Sequence, residues 1–386
     1  MSTSKRYIPL DRPHSEWIEA AVEALKLTRK RVEELLEEEQ EHVIITAPDG
    51  TPKDMLLADK IAEKVCAKFL IDRFPDGICV LGEESLWQLP QDLDLTKSHV
   101  ERHGGEPTVV EGPETKITAI VDMVDGSDLV ERNLGNWCSA MVFFQPGRNP
   151  KILFSLVQNA DGTIYGADEK GTFLLKSESA KGSPLQELGG PETRKLRAQT
   201  IGKSVPQETA QIAICFYAQK YQHFATIPSG LPIWVKNSGA KQRLRIYNLA
   251  GNPMMVRLAN GEHIHGVFEH VGQFPHDAVP GAYIGIRAGA ELLDMAGNKI
   301  TADDLAKALL KPSGSKIRYV LASSSELAVQ LAGALRTNGT YYKCPGKPGQ
   351  KCDAEKVLPS NSTPPHCDVC LIPMIEHDRR GSAAVA

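Results

Sequence analysis

Ile117-Thr118-Ala119-Ile120-Val121-Asp122-Met123-Val124-Asp125-Gly126-Ser127 joins an apolar, β-branched run to a pair of acids and then to Gly-Ser. Residues 117–121 read as a buried strand. Asp122 and Asp125 then lie beyond its carboxyl end. Carboxylates there can converge on one cation while the strand holds the backbone rigid. Hard divalent cations take such oxygens, and Mg²⁺ keeps coordination positions for water and substrate phosphate. Gly126 permits close backbone approach, and Ser127 can open a helix whose free N–H groups face a phosphate. Taken alone, D-x-x-D-G-S reads as a common Asp-Gly turn with a capping Ser.

Other acidic elements accompany it. Gly82-Glu83-Glu84-Ser85 follows the apolar run 79–81. Asp59 stands at a helix start in D-M-L-L-A-D-K. Asp277, in F-P-H-D-A-V-P-G-A, precedes an Ala/Gly-rich segment suited to close helix packing. The spacing of Trp17, Ala20, Ala21, Ala24, Leu25 and Leu27 predicts a helix over 14–40, and the charged stretch RKRVEELLEEEQE is its solvated face. A second helix is predicted over 54–73. Residues 88–116 are polar and turn-rich, and read as a long loop or inserted flap. Residues 139–176 read as strands. Further on, strand-like runs at 212–217, 233–235, 284–286 and 319–321 alternate with helix-like runs at 248–258 and 326–335. That alternation predicts a layered α/β fold.

The order of these motifs resembles the inositol monophosphatase superfamily, the magnesium-dependent, lithium-sensitive-type phosphatases that include fructose-1,6-bisphosphatase. Its G-E-E-S is similar to Gly82–Ser85, its D-P-[IL]-D-G-[TS] to Asp122–Ser127, its W-D-x-A-A-G to His276–Gly281, and its T-x-A-D to the element ending at Asp59. The run 318–335 resembles the family's closing strand and helix. Met123 replaces the usual Pro, His276 the usual Trp, and Ser127 the usual Thr; no ligand is lost. The resemblance implies an α-β-α-β-α sandwich. An N-terminal half (1–180) would carry most metal ligands, a C-terminal half (181–336) would add the rest, and residues 337–386 would form an appended tail. It implies Glu83, Asp122, Asp125, Asp277 and the Met123 carbonyl as ligands of two or three Mg²⁺ ions. Gly126 and Ser127 would hold the phosphate, and Asp59 and the Ser127 hydroxyl would orient and deprotonate the attacking water. Glu269, Gly251 and Asn252 would contact the substrate. The implied activity is hydrolysis of a small cyclitol or sugar phosphate by a homodimer. A 3′(2′),5′-bisphosphate nucleotidase is the alternative enzyme, and a regulatory protein retaining the fold the alternative class.

The composition agrees with a folded, water-exposed protein. Of 386 residues, 41% are hydrophobic and 24% charged, and the net charge is −4, which gives no electrostatic case for nucleic acid or an anionic membrane. No apolar run is long enough to span a bilayer, and residues 1–12 lack an apolar targeting core, so a cytoplasmic location is expected. Cys66, Cys79, Cys138 and Cys215 lie in apolar stretches and read as buried thiols. Cys344, Cys352, Cys367 and Cys370 are spaced C-x₇-C-x₁₄-C-x₂-C. Only the last pair has zinc-like spacing, so a structural zinc site and free thiols both stay open. His263, His265 and His270 resemble a metal cluster, but strand-like alternation would put the first two on one face near the surface. Lys236, Lys241, Arg243 and Arg245 read either as a solvated loop or as a clamp for a second acidic group.

Overall fold

Ser15–Glu37 (α1) is amphipathic: Ile18, Ala21, Val22, Leu25 and Val32 are buried, while Arg29 pairs with Glu33 on the solvated side. The computed structural model describes residues 13–37, 42–46, 52–75, 77–86, 88–90, 92–103, 106–111, 116–131, 134–175, 196, 198, 212–216, 244–249, 251–314, 316–336, 339–343, 355–359, 366–367, 373 and 375–376. The expectations for 233–235, Lys236, Lys241, Arg243, Cys344, Cys352 and Cys370 lie outside the described residues. A hairpin of His42–Thr46 (β1) and Pro52–Leu56 (β2) runs straight into Leu57–Arg73 (α2). The second helix therefore begins at Leu57 rather than at 54, because β1 claims the preceding residues.

The first large sheet is built from Ile78–Gly82 (β3), Ile117–Asp125 (β6), Cys138–Gln145 (β7), Lys151–Asn159 (β8), Ile164–Asp168 (β9) and Gly171–Leu175 (β10), in the order β10-β9-β8-β7-β6-β3. Only β3 and β6 are parallel neighbours. Short helices Glu83–Leu86 (α3) and Ser127–Glu131 (α4) follow β3 and β6, and Ser98–His103 (β4) with Glu106–Glu111 (β5) forms a separate hairpin between them. The expected flap at 88–116 thus contains a hairpin and core residues. Leu89, Leu93, Leu95 and Val100 are core residues, and the Leu95 N–H donates to the Leu310 carbonyl at 2.9 Å.

The second sheet contains Ile212–Phe216 (β11), Leu244–Tyr247 (β12), Gly266–Gln273 (β13), Glu291–Asp294 (β14) and Ile317–Ala322 (β15), ordered β12-β11-β13-β15-β14. Helices Asn252–Ala259 (α5), Pro275–Arg287 (α6), Ala302–Leu309 (α7) and Ser325–Arg336 (α8) accompany it. Residues 284–286, expected as a strand, lie inside α6. Successive strand side chains alternate faces, and this sets the layers. Met141 and Phe143 of β7 pack with Ile18, Leu25 and Ala62 of α1 and α2; Ala140, Val142 and Phe144 pack on the other face with α5 and α6. Across that helical layer, Val267 and Leu321 face inward, while Phe268, Val320 and Ala322 face Leu327 and Leu331 of α8. The order is α1/α2, sheet, α5/α6, sheet, α8: the α-β-α-β-α sandwich. Beyond it, Gly339–Lys343 (β16), Glu355–Pro359 (β17) and Ile375–Glu376 (β18) pair only with one another. No helix is long and apolar enough to cross a membrane, among the described residues.

Candidate metal and phosphate site

Asp122 and Asp125 lie within β6, which runs on past Val121 to Asp125. In a regular strand, residues three apart face opposite sides. Here the pairing slips: Asp122 opposes Ala140 and Asp125 opposes Cys138, so three steps on β6 match two on β7. This bulge brings both carboxyls to the side where the helical layer begins. Glu83 opens α3 at the end of the neighbouring parallel strand, Asp59 lies in the first turn of α2, and Asp277 in the first turn of α6.

The electrostatics tie the five acids together. The Asp122 carboxyl is held well above the usual carboxylate range, by burial first and then by Glu83, Asp125, Asp277 and Asp59, all carboxylates. Asp125 is pushed up to about 7 by burial and Asp277, against the lowering effect of Asn252. Ligand-type atoms of Glu83, His276 and Asp277 lie within 4.8 Å of one another, the only such group among the described residues. Gathering so many acids around the buried Asp122 is costly unless a cation compensates them. The donors are mostly carboxylate oxygens, which fits a hard divalent cation.

Several neighbours hold these acids in place. Glu63, which sequence reasoning missed, is buried on α2. It accepts the Glu84 N–H at 2.8 Å, the Ser85 N–H at 3.3 Å, and the Ser85 hydroxyl, clamping the turn that carries Glu83. The readable signal was Gly82, since a Cβ there would land on the Glu63 carboxyl. Asn252 donates to Asp125 Oδ2 from Nδ2 at 3.0 Å and from its backbone N–H at 3.3 Å. Its Oδ1 accepts the Gly281 N–H at 2.7 Å, so one amide ties β6 to α5 and α6. Gly251 precedes it at φ 75°, a left-handed conformation suited to glycine, with its Cβ position 3.3 Å from Asp125 Oδ2. The Met123 carbonyl accepts the Ser139 hydroxyl at 2.7 Å, which leaves its second lone pair for another partner.

Gly126 and Ser127 turn the chain from β6 into α4, beside Asp125. Glu269 is also near, since burial first, and then the charges of Glu269, Asp125 and Asp277, raise the Tyr319 hydroxyl. Its Oε1 accepts the Val271 and Gly272 N–H groups at 2.8 and 3.0 Å where β13 bulges. Burial raises the Glu269 carboxyl against these two bonds. The Tyr319 hydroxyl donates to Gln273 Oε1 at 2.8 Å. His263 and His265 lie in the turn before β13 rather than on a strand; His265 is buried and its Nδ1 accepts the Ala213 N–H at 3.1 Å. Arg245 is exposed on β12. Cys66, Cys79, Cys138 and Cys215 are buried, as expected, and so is Cys367. The zinc reading stands on sequence spacing alone.

This combination of five alternating layers and an acidic centre at the sheet ends has the fold of inositol monophosphatase-type proteins. No family model and no curated protein matches the chain. Solved structures do. A gene product described as inositol monophosphatase-fructose 1,6 bisphosphatase is 18% identical with TM-score 0.55, over 83% of this chain and 99% of that one. The extragenic suppressor protein suhB from Bartonella henselae is 16% identical with TM-score 0.55, over 83% and 99%. An IMPase/NADP phosphatase solved with NADP and Ca²⁺ is 16% identical with TM-score 0.53, over 85% and 98%. At these identities the likeness is one of fold.

Proposed function

We propose that the protein is a Mg²⁺-dependent phosphomonoesterase acting on a small cyclitol or sugar phosphate. The observation that carries this reading is the buried Asp122 carboxyl, raised by burial and then by the charges of Glu83, Asp125, Asp277 and Asp59. Glu83, Asp122, Asp125, Asp277 and the Met123 carbonyl would hold the ions. Bound Mg²⁺ would supply an acidified water and charge neutralisation on the leaving oxygen. The chain's own part is positioning and electrostatics, which suits phosphoryl transfer. The Gly126 and Ser127 N–H groups donate to phosphate oxygens. The Ser127 hydroxyl orients the attacking water, and Asp59 takes up its proton. Glu269, Gly251 and Asn252 line the leaving-group side, where the Glu269 carboxylate accepts from a substrate hydroxyl. Residues 1–180 and 181–336 act as the two halves of the site, in a homodimer.

A phosphate-release assay over inositol, sugar and 3′,5′-bisphosphate nucleotide substrates, with and without Mg²⁺, tests this. Release from a cyclitol or sugar phosphate only with Mg²⁺ supports it. Turnover of the nucleotide alone would shift the substrate class, and no turnover from metal-loaded protein would favour a binding role.

A further inference from the structure

Position 276 brings a donor of different chemistry into the acidic centre, since it is His where the resembling motif has Trp. The side chain is buried, 3% exposed, in the first turn of α6. Its ring stacks on Phe274 at 5.5 Å between centroids, which fixes its plane. Nδ1 lies 3.3 Å from the Pro312 carbonyl oxygen. A carbonyl can only accept, so Nδ1 carries the hydrogen, and a cation that displaces the proton from Nε2 would meet its lone pair. Histidines that bind metals commonly donate the other ring N–H to a backbone carbonyl or carboxylate in this way.

Nε2 is 3.1 Å from Asp277 Oδ1, and an oxygen of Glu83 completes the set of ligand atoms within 4.8 Å of one another. An octahedral ion with bonds of ~2.1 Å spaces adjacent ligand atoms about 3.0 Å apart. The His276–Asp277 edge therefore has the length of two neighbouring ligands of one ion. We propose that His276 Nε2 is a metal ligand, giving one cation position a mixed oxygen and nitrogen donor set that favours Mn²⁺ and other first-row transition ions over Mg²⁺. This rests on the reading of the acidic centre as a divalent-metal site, and makes His276 the residue that sets which ion it prefers. Imidazole suits transition ions, whereas all-oxygen sets suit Mg²⁺.

The test uses the full chain loaded with Mn²⁺ and read by pulsed electron paramagnetic resonance. The expected result is a ¹⁴N coupling to Mn²⁺ that changes when the histidines are labelled with ¹⁵N and disappears in His276→Gln. Calorimetric titration should show the variant losing at least about tenfold in Mn²⁺ affinity, with Mg²⁺ affinity changing less than about threefold. If His276→Gln does not fold, the labelled wild-type spectrum still decides, because His276 is the histidine of the ligand group. Mn²⁺ bound without nitrogen coupling would overturn the proposal and leave the metal site standing, with His276 an ion-pair partner of Asp277. No binding of either ion by the wild type would overturn both.

Discussion

Asp125 is the residue where the cost of gathering acids is easiest to measure. Its folded carboxyl is pushed up to about 7, by burial and then by Asp277, against about 3.9 in an unfolded chain. The folded state thus holds the proton more tightly than the unfolded one. Metal-free stability is then fully present below the unfolded value and lost as pH rises through about 7. The melting temperature of metal-free protein should fall between pH 5 and pH 8, and Mg²⁺ should restore it at pH 8. Asp125→Asn should flatten that pH dependence, stabilise the metal-free form, and reduce Mg²⁺-dependent phosphate release more than about a hundredfold. Retained turnover would remove Asp125 from the ligand set. Glu63 acts one step further out. In Glu63→Gln an amide NH₂ would face donors from Glu84 or Ser85. Metal affinity should drop about 10–100-fold while far-ultraviolet circular dichroism is unchanged; an unaltered affinity would show that the Glu83 turn needs no clamp.

At the scale of single elements, α7 offers a self-contained test. Thr301 Oγ1 accepts the Asp304 N–H at 3.2 Å, and Asp304 accepts the Thr301 N–H at 2.9 Å, a reciprocal cap. Thr301→Ala should cost about 1 kcal/mol in urea unfolding. The Thr301 hydroxyl, then its N–H, hold the Asp304 carboxyl below its ordinary range. Its contribution is present above the unfolded carboxylate value and lost as pH falls through the depressed one. The stability gap between wild type and Asp304→Asn should therefore close in strongly acidic buffer; a gap independent of pH would refute the cap's ionic part. Elements differ in how plainly sequence announces them. The strand before Asp122 was legible as an unbroken apolar, β-branched run, and the helix α8 because its period matches its burial. Residues 284–286 were not, because α6 is packed between two sheets and is buried on nearly every side. A helix without a polar face has no 3.6-residue signal, and Y-I-G-I-R then imitates a strand. The acids of the site were found from motif order, but the bulge that turns Asp122 and Asp125 to one side depends on pairing with β7, and Glu63 looks like any charged residue beside Lys60 and Lys64.

For the whole molecule, the last described strands form a sheet of their own, and the layered core closes with α8. Truncation after Thr337 should leave Mg²⁺-dependent turnover within about twofold, as expected when removed contacts are independent of the site. A large loss in the same phosphate-release assay would place the tail at the active site or at a subunit interface.

The amide of Asn252 bridges residues 127 positions apart in sequence, and Asp277 comes from still later in the chain. Four of the acids lie on the first sheet, α2 and α3, and Asp277 joins them only when α6 docks on that sheet. The repulsion between Asp277 and the other acids is therefore met only in that docking step, and adds to its barrier. A chain refolding in the presence of Mg²⁺ would cross that barrier with its charge already screened at the seam. Stopped-flow refolding should accelerate with Mg²⁺ and not with an equal ionic strength of NaCl; identical rates would mean that α6 docks before the carboxylates feel one another. The cation would then be a participant in the chain's assembly as well as in its chemistry.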